Sequence, residues 1–476
     1  MSLKIGLFGI GLEAYWAQFD GLKTRLEGYL SEVENKLNAM LPAEAGGCIN
    51  LGLIDSTDKA FEAGHQFRQF DVDIIFLYVT TYALSSTVLP VVRRAKVPVV
   101  ILNLQPQAAI DYQAFNALND RTKMTGEWLA YCSACPVPEI ANVFRRSNIP
   151  FYQVTGTLHN DPAAWHEIHD WIAAAHVANV MAHNRLGVMG NYYGGMLDIY
   201  TNLTLQCATF GGHIEIIEVD ELTALRETVS ELEIEDKRQI FDTIFEIQSD
   251  CSELELNRAA QTAVALDKIT EKYNLGSLAY YHKGTDNPNS NTMSSIILGN
   301  SLLTARNIPV AGEYEIKNAQ AMKIMDSFGA GGSFTEYYAI DYEADVVLMG
   351  HDGPGHIAIA EGKTKVKPLE VYHGKVGSGL SVEMSVQHGA VTLLSVIETI
   401  DRKVQLLIAH GEVVAGPILE IGNTNSRYKF PIGARQFVND WNSHGPAHHC
   451  AVGVGHIASK IKKLGLLLGV EVIVVC

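Results

Sequence analysis

Short apolar runs separated by amphipathic stretches set the rhythm of the first third of this chain. Residues 4–10, 72–79 and 97–102 have the look of buried strands, and each ends near polar or glycine residues. Residues 21–41 carry apolar positions at helical spacing. Buried strands alternating with helical crossovers are the signature of a parallel sheet. The pattern restarts near His183-Asn184-Arg185: residues 186–189, 214–219, 277–281 and 308–311 read as strands, and the charged stretch 222–273 as largely helical. After Gly332 the rhythm changes again. Residues 346–349, 391–400, 404–410 and 413–421 are β-rich, with Gly and Asp between them, which predicts an antiparallel sheet or barrel. Residues 434–441 and 451–464 read as helical, and 470–475 as a last strand. The expected fold class is α/β: two doubly wound parallel-sheet domains (1–183 and 184–331) followed by a β-rich, antiparallel barrel-like C-terminal domain (332–476).

Composition narrows the function classes. With 476 residues the chain has room for roughly two to three domains, and 47% hydrophobic content describes globular cores rather than disorder. A formal net charge of −17 argues against the basic footprint that nucleic-acid binding needs. No apolar run approaches the length of a membrane span. The opening Met1-Ser2-Leu3-Lys4 carries no signal-peptide pattern, and seven cysteines lack framework spacing. A cytoplasmic protein with no nucleic-acid or membrane partner is expected.

Several motifs carry possible chemistry. Gly9-Ile10-Gly11-Leu12-Glu13-Ala14 mimics the glycine fingerprint of dinucleotide-binding loops. Turn geometry alone explains such glycines, so the expectation is a substrate-facing loop with Glu13, Tyr15 and Trp16. Cys132-Ser133-Ala134-Cys135 is a lone C-x-x-C without a second pair, which reads as two buried structural cysteines. His166 and His169, three apart on an expected helix, read as a polar helix surface.

The last third is richer. Glu313 follows Val310-Ala311-Gly312, Glu336 follows Gly332-Ser333-Phe334-Thr335, His351 closes Val347-Leu348-Met349-Gly350, and His448-His449 follow Gly445-Pro446-Ala447. Each sits where a strand is expected to hand over to a loop or helix. Side chains at the carboxyl ends of strands share a crevice, and carboxylates with imidazoles suit a divalent ion. Spacing leaves His356, in Asp352-Gly353-Pro354-Gly355-His356, as a competing ligand.

In order and approximate spacing, Val310 to Glu313, Gly332 to Tyr337, Val347 to His351 and Ala447 to His449 resemble the L-arabinose isomerase family. Phe76 to Tyr82, Asn103-Leu104-Gln105 and the stretches at Gly190-Asn191 and Gly211-Gly212-His213 extend the resemblance weakly upstream. It implies a metal-dependent enzyme that interconverts an aldose and a ketose, uses Mn²⁺ or a similar ion such as Co²⁺ or Mg²⁺, and assembles as a homo-oligomer, trimer or hexamer. The C-terminal domain would complete the active site. The metal ligands would be Glu313, Glu336, His351 and His449; Glu313 and Glu336 would also move protons, and His448 would sit beside the sugar. The chain departs from the family in the loop Gly11 to Phe19, around Leu129 to Cys135, and at Asp352 to His356, regions that face substrate in the family. The chemistry is thus expected to persist while the sugar differs. A nicotinamide-dependent oxidoreductase and a non-catalytic sugar-binding protein are the alternatives.

Overall fold

The computed structural model describes residues 2–283, 287–369, 371–372, 375–376 and 378–476. The chain divides into two compact units between Asn179 and Val180. In the first, β1 (Lys4–Ile10), β2 (Gly47–Ile54), β3 (Ile74–Tyr78), β4 (Val99–Gln105) and β5 (Phe151–Thr157) form a parallel sheet in the order β2-β1-β3-β4-β5. The helix Leu22–Met40 buries Leu22, Leu26, Leu30, Val33 and Leu37, one stripe at steps of three and four. The helix Thr57–Phe70 is bounded chemically. Ser56 caps its start by accepting from the Lys59 N–H, and Asp71 in the left-handed region ends it. Phe8, Phe67, Ile75, Leu77, Ile101 and Phe144 belong to the core beside this sheet.

The second unit opens with another parallel sheet. Its strands include β6 (Arg185–Gly190) and β7 (His213–Ile217); the short β8 (Glu246–Ile247) pairs elsewhere, and β9 (Ser277–Tyr281) and β10 (Val310–Ala311) complete the order β10-β9-β6-β7. The helix Glu253–Tyr273 packs Leu256, Ala260, Ala263, Leu266 and Ile269 into its core. The following helix, Ile316–Ser327, is buried at every position from Ile316 to Asp326. A helix buried all round lies between layers rather than on a surface.

The remaining strands are β11 (Ser333–Asp341), β12 (Val346–His351), β13 (Lys365–Pro368), β14 (Val371–Tyr372), β15 (Lys375–Val376), β16 (Leu380–Glu383), β17 (Gly389–Glu398), β18 (Val404–Val413), β19 (Thr424–Lys429), β20 (His449–Val454) and β21 (Glu471–Val474). Among the described residues, β17-β20-β11-β12-β19-β18 run antiparallel, and pairing of β17 with β18 closes them into a barrel. β21 adds in parallel to β18, β16-β13-β8 form a small second sheet, and β14 pairs with β15. Val347, Met349, Leu393, Leu407, Tyr428, Phe437, Trp441 and Val452 share one core. The α/β class with two parallel sheets and an antiparallel C-terminal barrel is the expected one.

Two expected elements differ. Residues 413–421 form no strand of their own: Val413 ends β18, Gly416 takes φ 145°, and Asn425 ties the loop through both polar groups of the Leu419 backbone. Residues 451–464 are not one helix. Ala451 to Val454 pair as β20 with both neighbours, and Gly455 (φ 86°) breaks the chain before the helix Ala458–Leu468. No helix among the described residues is long and apolar enough to cross a membrane.

Candidate metal centre

Three adjacent barrel strands and one loop of the second parallel sheet bring carboxylates and imidazoles together. On β11, Glu336 stands opposite His449 of β20 on one side and Gly350 of β12 on the other. Strand register therefore places Glu336, not the strand edge expected from the glycines before it. Phe334 lies two residues earlier, on the same face. Its ring packs on His351 and His449, with centroids 4.4 and 4.3 Å away. Gly350 makes the strand spacing possible: a Cβ there would lie 1.8 Å from the Thr424 carbonyl oxygen.

Glu313 comes from the carboxyl end of β10. It and Tyr314 take φ 58° and 64°, two consecutive left-handed residues with side chains. Such positions cost about 1–3 kcal/mol each and persist only where the surroundings over-determine them. Here the Tyr314 N–H donates to the Tyr280 carbonyl (3.0 Å), and the Glu315 N–H to that of Gly312 (2.9 Å). The turn aims Glu313 at the barrel and Glu315 at the back of His449.

The donor atoms converge. His351 Nε2 lies 3.2 Å from His449 Nε2, and Glu313 Oε2 lies 3.5 Å from His449 Nε2. His448 Nε2 faces Glu313 Oε2 at 3.6 Å and Glu336 Oε2 at 4.0 Å. Glu313, His448 and His449 form one group able to hold a cation, and Glu336, His351 and His449 another; in each, the donor atoms lie within 4.8 Å of one another. The opposite ring nitrogens are occupied. His351 Nδ1 bonds the Asp352 carbonyl, which only accepts, so the proton sits on Nδ1 and Nε2 is bare. His449 Nδ1 bonds the Glu315 carboxyl. Imidazoles held from behind by an oxygen acceptor are the arrangement of metal-binding histidines.

Electrostatics agree with a cation between them. Burial, and then the neighbouring imidazoles, push His351 and His449 down to about 3, so both rings are neutral, the form that binds metals. Burial opposes charge on His448, but pairing with Glu313 and Asp198 outweighs it and raises that ring to about 9. Burial alone would raise Glu313; pairing with His448 brings it below the usual carboxylate value. Burial pushes Glu315 up to about 8, against the opposing pull of Lys317. Glu313 Oε2 is buried without a hydrogen bond. A buried, unbonded carboxylate oxygen near inward-facing imidazole nitrogens is the donor set a divalent cation satisfies.

The other candidates go elsewhere. His356 is buried with Nε2 3.6 Å from Asp326 Oδ1, and it is not among the convergent donors. Glu13, Tyr15 and Trp16 belong to the first unit: Glu13 is exposed, and the Trp16 Nε1–H donates to Asp55 (2.8 Å). The Gly9 to Ala14 motif leads only into the short 3-10 helix Glu13–Tyr15, and the long helix begins at Leu22. A dinucleotide loop needs a helix N-terminus directly behind it. Gly11 instead makes room for Trp16, whose ring a Cβ there would meet at 2.7 Å. Cys132 is buried but Cys135 is exposed, so the reading of both as buried holds for one. A cleft of about 210 Å³ on the barrel, lined by Glu361, Lys363, Lys365, Glu383 and Arg427 among others, shares no residue with the cluster. Sequence reading missed Asp198, Phe334, Glu315 and Lys317. Glu315, two residues beyond Glu313, and Phe334, two before Glu336, were within reach of a local signal; Asp198 was not.

No protein-family model matches the chain, and no curated protein matches it. Solved structures match weakly. An ABC-transporter solute-binding protein from Burkholderia multivorans is 15% identical over 66% of this chain and 80% of its own, with a TM-score of 0.16. The pyruvate reductase of Chlamydomonas reinhardtii is 12% identical over 69% and 96%, with a TM-score of 0.14. At these TM-scores neither likeness bears on fold or function.

Proposed function

We propose that this chain is a metal-dependent aldose–ketose isomerase of the kind its motifs resemble, the L-arabinose isomerases, acting on a small sugar. The observation that carries the reading is a pair of donor groups that share His449, Glu313 with His448 and Glu336 with His351, with Glu313 Oε2 buried and without a hydrogen bond. Glu313, Glu336, His351 and His449 would hold Mn²⁺, or Co²⁺ or Mg²⁺ in its place. When bound, the ion supplies Lewis acidity that makes a proton beside a carbonyl removable.

The chain supplies the rest. Two carboxylates, Glu313 from the β10 loop and Glu336 from β11, lie within 4.0 Å of His448 Nε2. One can take the proton from the carbon beside the carbonyl while the other exchanges protons with the hydroxyls. His448, cationic and facing both carboxylates, offers a proton to a sugar oxygen. The phenols of Tyr280 and Tyr338 and the amide of Asn300 are further polar groups in this region. The Tyr338 hydroxyl is buried without a hydrogen bond, which suits a polyhydroxylated ligand better than an apolar one. On this reading the protein works in the cytoplasm as a homo-oligomer, trimer or hexamer, which sedimentation would measure.

The test is a panel of aldoses and ketoses assayed with Mn²⁺ after chelation, with exchange of the C2 hydrogen followed in D₂O. Turnover and exchange that depend on the ion and vanish in Glu336→Gln are the expected result. Sugar binding without any exchange would replace the isomerase by a binding protein.

A further inference from the structure

The loop between β6 and the helix Leu203–Phe210 reaches from the parallel sheet to the barrel and is fastened along its length. Near its start, the Asn191 N–H donates to the Tyr281 carbonyl (3.0 Å) and the Tyr193 N–H to that of Glu313 (3.4 Å). Tyr192 packs edge-on against both Tyr200 and Tyr314. Ile199 is fully buried. At its end, Glu398 of β17 accepts from the Thr201 hydroxyl (2.6 Å) and the Asn202 N–H (3.1 Å). Between these anchors sits Asp198. One of its carboxylate oxygens, Oδ2, accepts from both the backbone N–H of His448 (2.9 Å) and its ring Nδ1 (2.6 Å). The Asp198 carbonyl accepts from the buried Lys317 ammonium at 2.5 Å.

One oxygen that holds both the backbone and the ring of a residue fixes where that ring points. With Nδ1 engaged, the atom left facing Glu313 and Glu336 is Nε2, at 3.6 and 4.0 Å. Those separations exceed a hydrogen bond, so a hydroxyl seated beside the pair, at about 2.8 Å from each, would contact imidazole and carboxylate together. The Asp198 carboxylate bonds His448, and its charge also acts at a distance on His449.

We propose that Asp198 is a positioning residue: it locks the His448 ring so that Nε2, and not Nδ1, is presented to the space shared by Glu313 and Glu336. This rests on the isomerase reading for its purpose but not for its geometry. The positioned Nε2 faces Glu313 and Glu336, and in the donor group Glu313, His448 and His449 it is also a candidate cation ligand.

The experiment uses the full-length chain labelled with ¹⁵N-histidine, at one fixed pH, and needs no sugar. The carboxylate-bound Nδ1–H of His448 should give a downfield proton resonance, assigned by its loss in His448→Gln. Asp198→Ala should remove it, and Asp198→Asn, which keeps an acceptor oxygen, should restore it at a shifted position. The circular-dichroism spectrum should be unchanged in both variants, which shows that the fold is kept. Once a substrate is found, Asp198→Ala should lower kcat by about 10–100-fold, the range for partners that orient a site residue, with KM nearly constant. A resonance that survives in Asp198→Ala overturns the proposal. So does joint loss of the resonance and of the circular-dichroism signal of the folded chain, which would show Asp198 to hold the fold. Failure of every sugar to turn over, with the resonance behaving as described, would overturn the isomerase reading and leave the positioning intact.

Discussion

The two units each present the carboxyl ends of a parallel sheet, yet only one of these ends is chemically loaded. In the first unit the crevice residues are satisfied: Trp16 donates to Asp55, Lys59 pairs with the same carboxylate at 2.7 Å, and the Thr80 hydroxyl donates to the Ile10 carbonyl. Its left-handed residues with side chains, such as Asp71 and Lys96, sit at helix ends, where such geometry is routine. In the second unit the same kind of edge carries two consecutive strained residues, a buried carboxylate oxygen without a hydrogen bond, and imidazoles aimed at each other. A crevice at a sheet edge is therefore weak evidence for chemistry. Strain combined with unspent polar groups is stronger.

That contrast can be broken in several ways. The largest effect should come from Gly350→Ala. Its Cβ would meet the Thr424 carbonyl, part the strands that carry His351, and cost about 3 kcal/mol or more, read as a fall in thermal midpoint and loss of Mn²⁺ binding. Next, Glu336→Gln should cut turnover by about 10²–10⁴-fold with the fold unchanged by circular dichroism. Glu315→Gln should be milder, weakening Mn²⁺ affinity by about 10–100-fold, because it touches only the far nitrogen of His449. If Glu315→Gln binds Mn²⁺ like the parent chain, the ring needs no support from behind and the contrast between the two edges weakens.

A pH experiment sharpens the same point. Folding raises His448 from 6.5 to about 9. The folded state thus holds a proton that the unfolded chain releases earlier. The stabilisation is full below pH 6.5 and is lost as pH rises through about 9. Without added metal, the thermal midpoint should fall more across that window in the parent chain than in His448→Gln. The smallest effect belongs to the first unit: Glu13→Ala, at an exposed position, should leave Mn²⁺ affinity and stability within error. A clear loss of Mn²⁺ binding there would erase the distinction drawn between the two edges.

Local periodicity made the fold class legible, because strands such as β3 and β12 are buried end to end and read as unbroken apolar runs. It failed where an apolar run fits either period, as at Ala451 to Val454, and where a long side-chain tether replaces a strand, as at Asn425. Glu313, Glu336, His351 and His449 were visible as glycine-flanked acids and imidazoles, but only resemblance separated His351 from His356. Asp198 was invisible. Its partner lies 250 residues away, and no local pattern encodes a contact made across two sheets.

The register of β20, β11 and β12 has a temporal meaning. His449, Glu336 and His351 stand on three neighbouring strands, and the first of them in space, β20, comes last of the three in the chain. Ribosomal synthesis delivers β20 more than a hundred residues after β11, and until it arrives β11 lacks one neighbour. A nascent chain can therefore present Glu313, Glu336 and His351 without the imidazole common to both donor groups. On the proposed reading, high-affinity capture of an ion must wait for β20 to dock, so loading becomes a checkpoint on synthesis through that strand, and a chain truncated before it would not hoard metal.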